Sequence, residues 1–359
     1  MKITFLLPTP GERPIGGVKI VYMHANGLAE AGHDVCVVHT MTGLTRAKGF
    51  FSASMTYLGR LFGFKGGFGP KQWMDVHKNV RIFWAPALTP WFVPKADIVI
   101  ATAWTTAEAT LKLPASHGQK YYFVQDYEYF MTAEPAERER MAATYRAPFR
   151  TLVISPACRD MVLESGGTVH AIVPNGLDME LYQLIRPIDD PERMLIGFPS
   201  RPEPFKRTED AIQALTIFRT RNPDSEFKFW TFGGTKPANL PDWIEFHQRP
   251  SDQSLVDLYN RTSIFVVPSC YEGWGLPGSE AMCCGAALVS TDNGGVNAYA
   301  VDEVTALLSQ PLKPEALAHN VERLANDMKL RILISNNGYE GVSKMTWAKS
   351  REAFMEAIK

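Results

Sequence analysis

Short aliphatic or β-branched runs alternate with helical patterns along almost the whole of this chain, and no other feature restricts its fold as much. Candidate strands lie at 3–7, 34–38, 80–84, 98–101, 121–124, 152–154 and 169–172. After a break, a second series follows at 194–198, 227–232, 264–267 and 287–290. Candidate helices occupy 18–31, 105–111, 135–145, 156–164, 206–220, 251–261, 277–284 and 313–328. Such alternation predicts an α/β protein with parallel sheets, whose ligands sit at the carboxyl ends of the strands. The chain has 359 residues, more than one core usually supports, so two domains are expected. The break falls at Pro174-Asn175-Gly176-Leu177-Asp178, with Pro187, Asp189, Asp190 and Pro191 close behind. Proline, glycine and acidic residues at this density predict an exposed linker.

The bulk composition excludes several classes of function. Apolar residues make up 45% and charged residues 21%, ordinary for a globular protein, and the net charge is −1. That balance gives no general attraction to nucleic acid. No apolar run is long enough to cross a bilayer, and the start, MKITFLLPTPGERP, reads as a first strand rather than a signal peptide. Five cysteines without Cys-x-x-Cys spacing point to free thiols in a cytoplasmic setting and away from zinc.

The stretch from Pro268 to Gly295, PSCYEGWGLPGSEAMCCGAALVSTDNGG, carries the chemistry. A strand ending at Val267 enters a loop with Glu272, after which Pro277 opens a helix holding Glu280 near its start. Proline suits a first helical turn, where its missing N–H has no partner to lose. The amides from Gly273 to Ser279 then point off a helix N-terminus, which favours an anion. Glycines at 273, 275 and 278 allow a ligand close to the backbone. Phosphate-seeking amides between two hydroxyl-seeking carboxylates suit a sugar nucleotide. Taken singly, Glu280 equally fits a residue complementing the helix dipole, and Glu272 a solvated loop acid.

The string resembles the signature of the large family of retaining glycosyltransferases of GT-B fold (glycosyltransferase family 4 type), written E-G-F-G-L-P-x-x-E, then A-x-x-x-G and D-x-G-G. Glu272, Gly273, Trp274 in place of Phe, Gly275, Leu276, Pro277 and Glu280 match in order, as do Ala281, Gly285, Asp292, Gly294 and Gly295. The resemblance implies two Rossmann-like domains with parallel sheets facing across a cleft, spanning 1–176 and 177–344. It also implies a final helix, within 345–359, that returns to the N-terminal domain; Trp347, Phe354 and Ile358 fall near helical spacing for this. In that family the first Glu contacts the donor sugar and the second the nucleotide ribose, roles that the resemblance carries to Glu272 and Glu280.

Further elements extend it. Arg201, followed five residues later by Lys206, matches a cationic pair of the family, with Ser200 and Arg207 where glycines flank the pattern. Two fixed cations over a helix start can hold a diphosphate without a metal. No Asp-x-Asp occurs, so no metal-bridged diphosphate is expected. Arg249, after a strand, is placed by the resemblance beside the nucleotide base. Gly16-Gly17 before a helix is similar to the family's Gly-Gly-Val element, near donor phosphate and acceptor; a G-x-G-x-x-G fingerprint is absent there. At the end of the strand at 121–124, relatives carry His-Asp where this chain has Gln125-Asp126, so the acceptor role is assigned to Asp126, with Glu128 second. The Gln-Asp-Tyr-Glu string and Ala101–Thr106 resemble rhamnosyltransferase-like members that build bacterial surface polysaccharides. Residues 46–73 lack acids but hold Arg46, Lys48, Arg60, Lys65 and Lys71 around apolar positions at helical spacing. This basic segment fits either peripheral contact with the inner face of a membrane or packing in the core.

The expected activity is therefore transfer of a hexosyl or deoxyhexosyl group, with retention, from a nucleotide-diphosphate donor to a saccharide or lipid-linked saccharide acceptor. No cofactor or metal is expected. Catalysis is assigned to Glu272, Arg201, Lys206 and Asp126, and donor binding to Gly16, Gly17, Arg249, Gly273, Trp274, Gly275, Leu276 and Glu280. A GT-B nucleotide-sugar epimerase and a non-catalytic sugar-nucleotide-binding subunit of a polysaccharide assembly complex are the alternatives.

Overall fold

The computed structural model describes residues 1–9, 15–40, 55, 70–126, 128, 132 and 134–359. Most of the basic segment at 46–73 lies outside the described residues. The chain divides into two compact units, Met1–Pro174 with Ser350–Lys359, and Asn175–Lys349.

Among its described residues the first unit is built on seven strands: β1 (Lys2–Leu7), β2 (Asp34–Thr40), β3 (Val80–Ala85), β4 (Ile98–Ala101), β5 (Gln119–Val124), β6 (Arg150–Val153) and β7 (Ala171–Ile172). They form one sheet in the order β3-β2-β1-β4-β5-β6-β7. Every pairing is parallel, β1 lying between β2 (Ile3 opposite Val35) and β4 (Ile3 opposite Ile98). Parallel strands are covered on both faces, which is why they read as unbroken apolar runs. Ile3, Phe5, Leu6, Val35, Val37, Val99 and Ile100 are all buried. Helices α1 (Gly16–Glu30), α2 (Trp104–Leu111), α3 (Pro135–Arg146) and α4 (Pro156–Glu164) follow strands in the chain.

The last helix, α10 (Trp347–Ala357), starts in the second unit and ends in the first. Phe354 is 1% exposed, with ring centroids 4.4 Å from His24, 5.6 Å from Phe123 and 5.9 Å from Phe5. Trp347 and Ile358 are buried as well. Burial lowers the His24 imidazole to about 3, so a neutral ring stacks on Phe354. Where the chain crosses back, Ser350 Oγ donates to the Pro174 carbonyl at 2.6 Å.

The second unit holds six parallel strands: β8 (Leu195–Pro199), β9 (Lys228–Gly233), β10 (Ile244–Gln248), β11 (Thr262–Val267), β12 (Ala287–Thr291) and β13 (Ala306–Ser309). Their order is β10-β9-β8-β11-β12-β13. Helices α5 (Thr208–Arg221), α6 (Asp252–Arg261), α7 (Leu276–Cys283), α8 (Pro314–Asn326) and α9 (Met328–Val342) complete it. Ile196, Phe198, Leu215, Phe218, Ile264, Val266, Val289, Leu317 and Val321 share one core.

The stretch expected to be an exposed linker is exposed at Pro187, Asp189 and Pro191 but packed in its first part. Asn175, Leu177 and Tyr182 are buried. The Leu177 amide donates to the Met345 carbonyl at 2.7 Å, and the Ile185 and Arg186 amides donate to Asn260 Oδ1 at 2.8 and 3.1 Å. The prolines and acids marked a turn-rich path, and side chains from α6 satisfy its backbone and let it lie against the unit.

Candidate functional site

In each sheet the strand order reverses once, between β1 and β4 and between β8 and β11. At such a reversal the loops leaving the two neighbouring strands turn opposite ways and open a crevice at their carboxyl ends. In the second unit these are the loop 200–207 after β8 and the loop 268–275 after β11. They carry Arg201, Lys206 and Glu272.

Fold topology brings Lys206 and Glu272 together although 66 positions separate them. The Cys270 amide donates to the Phe205 carbonyl at 2.8 Å, tying one loop to the other. Lys206 Nζ then donates to Glu272 Oε2 at 2.7 Å, with side chains 19% and 14% exposed. The second carboxylate oxygen accepts from Ser269 Oγ at 2.7 Å. The Glu272 backbone is fixed from behind, its amide donating to the Asn293 carbonyl at 3.0 Å within a bridge to Gly294. A Cβ at Gly295 would stand 2.7 Å from the Glu272 carbonyl and the Trp274 amide, so the D-x-G-G turn serves as the bed of this loop.

Arg201 lies at the mouth of β8. Its guanidinium donates to the Ser200 carbonyl at 2.9 Å and stacks 5.1 Å from the Phe232 ring, while Thr208 Oγ1 accepts from its amide at 2.9 Å. The helix predicted from 206 begins at Thr208, after a 3-10 turn over Pro204–Lys206 and a left-handed Arg207 (φ 51°).

Gly275 precedes α7 with φ 90°, a conformation that costs a non-glycine residue steric strain. Gly273 and Gly275 are buried, and Leu276 is half-buried. Trp274, expected to line the donor, turns its side chain inward: it is 3% exposed, its indole N–H donates to Ser279 Oγ at 3.3 Å, and its ring lies 5.7 Å from Tyr299. Its amide stays with the loop. Glu280 is 8% exposed. Tyr182, its hydroxyl raised far above the ordinary range by burial and then by the charge of Glu280, hydrogen-bonds that carboxylate. Arg249 follows β10 with an exposed side chain and a left-handed backbone (φ 47°), its amide donating to the Gly233 carbonyl at 3.0 Å.

The remaining expected residues belong to the first unit. Helix α1 starts at Gly16 with no side-chain cap and no acid in its first turn. A Cβ on Gly17 would sit 3.6 Å from Gln125 Oε1, so the Gly-Gly turn and the end of β5 are neighbours. That buried Oε1 accepts no hydrogen bond from the described residues. Asp126 is half-buried beside it in sequence. Glu128, second to Asp126 for the acceptor role, is buried. Its carboxylate accepts from the Trp104 amide at 3.0 and 3.1 Å, from Tyr122 Oη at 2.6 Å and from Tyr145 Oη at 3.5 Å. Burial raises it to about 7 despite these donors, with Asp126 adding to the rise.

Residues 189–341 match the family model of glycosyl transferases group 1. This covers most of the second unit, including Arg201, Lys206, Glu272 and Glu280. Among curated proteins, the chain is similar to D-inositol 3-phosphate glycosyltransferase of Salinispora tropica, 25% identical over 238 residues, 60% of this chain and 49% of that protein. The Corynebacterium glutamicum protein of the same name is 26% identical over 202 residues, 50% of this chain and 48% of that one. The chain thus spans about half the length of the curated relatives it matches. Among solved structures, sucrose-phosphate synthase of Thermosynechococcus elongatus aligns over 99% of this chain and 98% of its own, with TM-score 0.74 and 17% identity. Anabaena HepE, solved with UDP and glucose, aligns over 100% and 99%, with TM-score 0.73 and 16% identity. At these identities the likeness is one of fold: two parallel-sheet Rossmann-like units of the GT-B class.

Proposed function

We propose that the protein moves a sugar from a nucleotide diphosphate to an acceptor hydroxyl with retention of anomeric configuration, without a metal. The observation that carries this reading is the Lys206–Glu272 pair at the β8/β11 reversal, set beside the glycine loop that opens α7. A cation, a carboxylate and helix-start amides meet there, as a sugar diphosphate requires. Donor binding exchanges partners: Lys206 and Arg201 take the diphosphate, and Glu272, held by Ser269, accepts from hydroxyls of the sugar. Glu280 accepts from the ribose. When the glycosidic bond breaks, negative charge grows on the departing phosphate oxygen. Fixed cations and amides aimed at it lower the barrier, each donor being worth about a hundredfold or more. That oxygen can also take the acceptor's proton, so no enzyme nucleophile is required. The acceptor is assigned to Gly16, Gly17 and Asp126 of the first unit. A saccharide or lipid-linked saccharide destined for a bacterial surface polysaccharide suits the local Gln-Asp-Tyr-Glu resemblance.

The test is a panel of nucleotide sugars incubated with and without saccharide acceptors, with product anomers read by NMR. Acceptor-dependent consumption of one donor and a product of the donor's own anomeric configuration are expected. Donor consumed equally without acceptor, or an inverted product, would contradict the reading.

A further inference from the structure

The anion-facing loop owes its orientation to a residue outside every motif, Tyr299. This side chain follows the 3-10 turn Gly295–Ala298 and is 5% exposed, with its ring against Trp274. Its hydroxyl donates to the Gly275 carbonyl at 3.1 Å. The same carbonyl receives the Gly278 amide at 3.1 Å, so two donors approach the peptide that opens α7 from the inside. No peptide bond in the described chain is cis. In a trans peptide the N–H points opposite to the C=O, so the Leu276 N–H is directed away from the buried tyrosine, outward from the unit.

The space around the hydroxyl is fully used. A Cβ on Gly278 would lie 2.6 Å from Tyr299 Oη, and one on Gly275 would lie 3.1 Å from it. Two glycines of the loop are therefore small because this hydroxyl occupies the room behind them. Burial first, and then the charges of Glu272 and Glu280, raise the phenol above its ordinary range, so it stays a donor at any pH the protein meets.

We infer that Tyr299 is a positioning residue for diphosphate binding: its hydroxyl holds the Gly275–Leu276 peptide so that the Leu276 amide faces the anion. This rests on the donor reading given above. The geometry also makes Gly278 and Tyr299 a coupled pair, because a methyl at 278 and the hydroxyl at 299 claim the same volume.

Calorimetric titration of inorganic pyrophosphate and of UDP into four full-length proteins tests it: wild type, Tyr299→Phe, Gly278→Ala and the double variant. Thermal melting is measured alongside. Loss of one neutral hydrogen bond predicts that Tyr299→Phe weakens both ligands about three- to tenfold. The Tyr299→Phe melting midpoint is expected to fall by no more than about 2–6 °C, so the protein stays folded at the titration temperature. Gly278→Ala, by pushing the hydroxyl aside, weakens them similarly. The double variant is expected to be no weaker than the worse single one, since both changes remove the same contact. Unchanged pyrophosphate and UDP affinity in Tyr299→Phe, or strictly additive losses in the double variant, overturns the positioning role while the donor reading stands. A wild-type protein that binds neither ligand overturns the donor reading and this role with it.

Discussion

Glu128 is the residue whose chemistry differs most from its plain reading in the sequence. A glutamate four positions beyond a strand end is ordinarily solvated, yet here one carboxylate takes hydrogen bonds from a backbone amide and two tyrosines inside the first unit. Its folded value of about 7 lies above the unfolded one, near 4.5. The folded state therefore binds the extra proton between these limits, and stability falls as pH rises through that window. The contribution is fully present below about pH 4.5 and lost above about pH 7, amounting to about 3 kcal/mol at 1.36 kcal/mol per unit. Denaturant titrations at pH 5 and pH 8 should show the wild type losing stability with pH, while Glu128→Gln shows a markedly smaller loss. Equal pH dependence in the two would assign the effect elsewhere. The Lys206–Glu272 contact illustrates the opposite case. Each residue was legible from its own motif, but their pairing was not, because no spacing rule links positions 66 apart. Ser269 and Tyr299, which fix the carboxylate and the loop, carry no signature; Ser269 lies inside the quoted string, and Tyr299 is a lone aromatic after it.

Most elements were legible because a parallel strand is apolar on both faces and a helix between strands is apolar on one. Three were not among the candidates. Strand β10, Ile244–Gln248, buries only Ile244 fully and so lacks an unbroken apolar run. Strand β13, Ala306–Ser309, offers only four residues of pattern. Helix α9 contains Asn336-Asn337-Gly338, which reads as a turn. Close contact overrides that local preference: Gly338 packs beside Met282 of α7 and the Thr305 carbonyl, and Asn337 Nδ2 donates to the Val304 carbonyl at 3.0 Å. The packing of 175–182 was not legible for a related reason, since composition reports turns but not what covers them. The return of α10 was readable as a spacing and now has a physical anchor. Phe354 fills a site walled by Phe5, His24 and Phe123. Phe354→Ala is expected to cost about 3–5 kcal/mol in chemical denaturation, as for other fully buried phenylalanines. It should detach the last helix from the first unit, read as proteolytic release of the C-terminus. A cost below 1 kcal/mol would mean that α10 is held by other contacts.

At the scale of the whole molecule, two sheets each reverse their strand order once, and the loops at the second of these reversals carry Arg201, Lys206 and Glu272, while Glu280 lies just inside α7 and Arg249 follows the edge strand β10. The fold therefore explains why the loop carrying Arg201 and Lys206 meets the loop carrying Glu272, while the donor sugar and acceptor depend on contacts that strand order does not determine. On the proposed reading Lys206, Arg201 and the helix-start amides neutralise the diphosphate without a metal, so turnover is expected to persist in excess EDTA. A loss of more than about tenfold that Mg²⁺ restores would overturn the metal-free proposal. The most direct measurement is the turnover of the preferred nucleotide sugar by wild type, Lys206→Ala and Glu272→Gln, each checked for folding by circular dichroism. Loss of one transition-state partner predicts a fall of about a hundredfold or more in each variant with the fold intact. Near wild-type turnover in both variants would contradict the claim that this ion pair lies at the reacting centre.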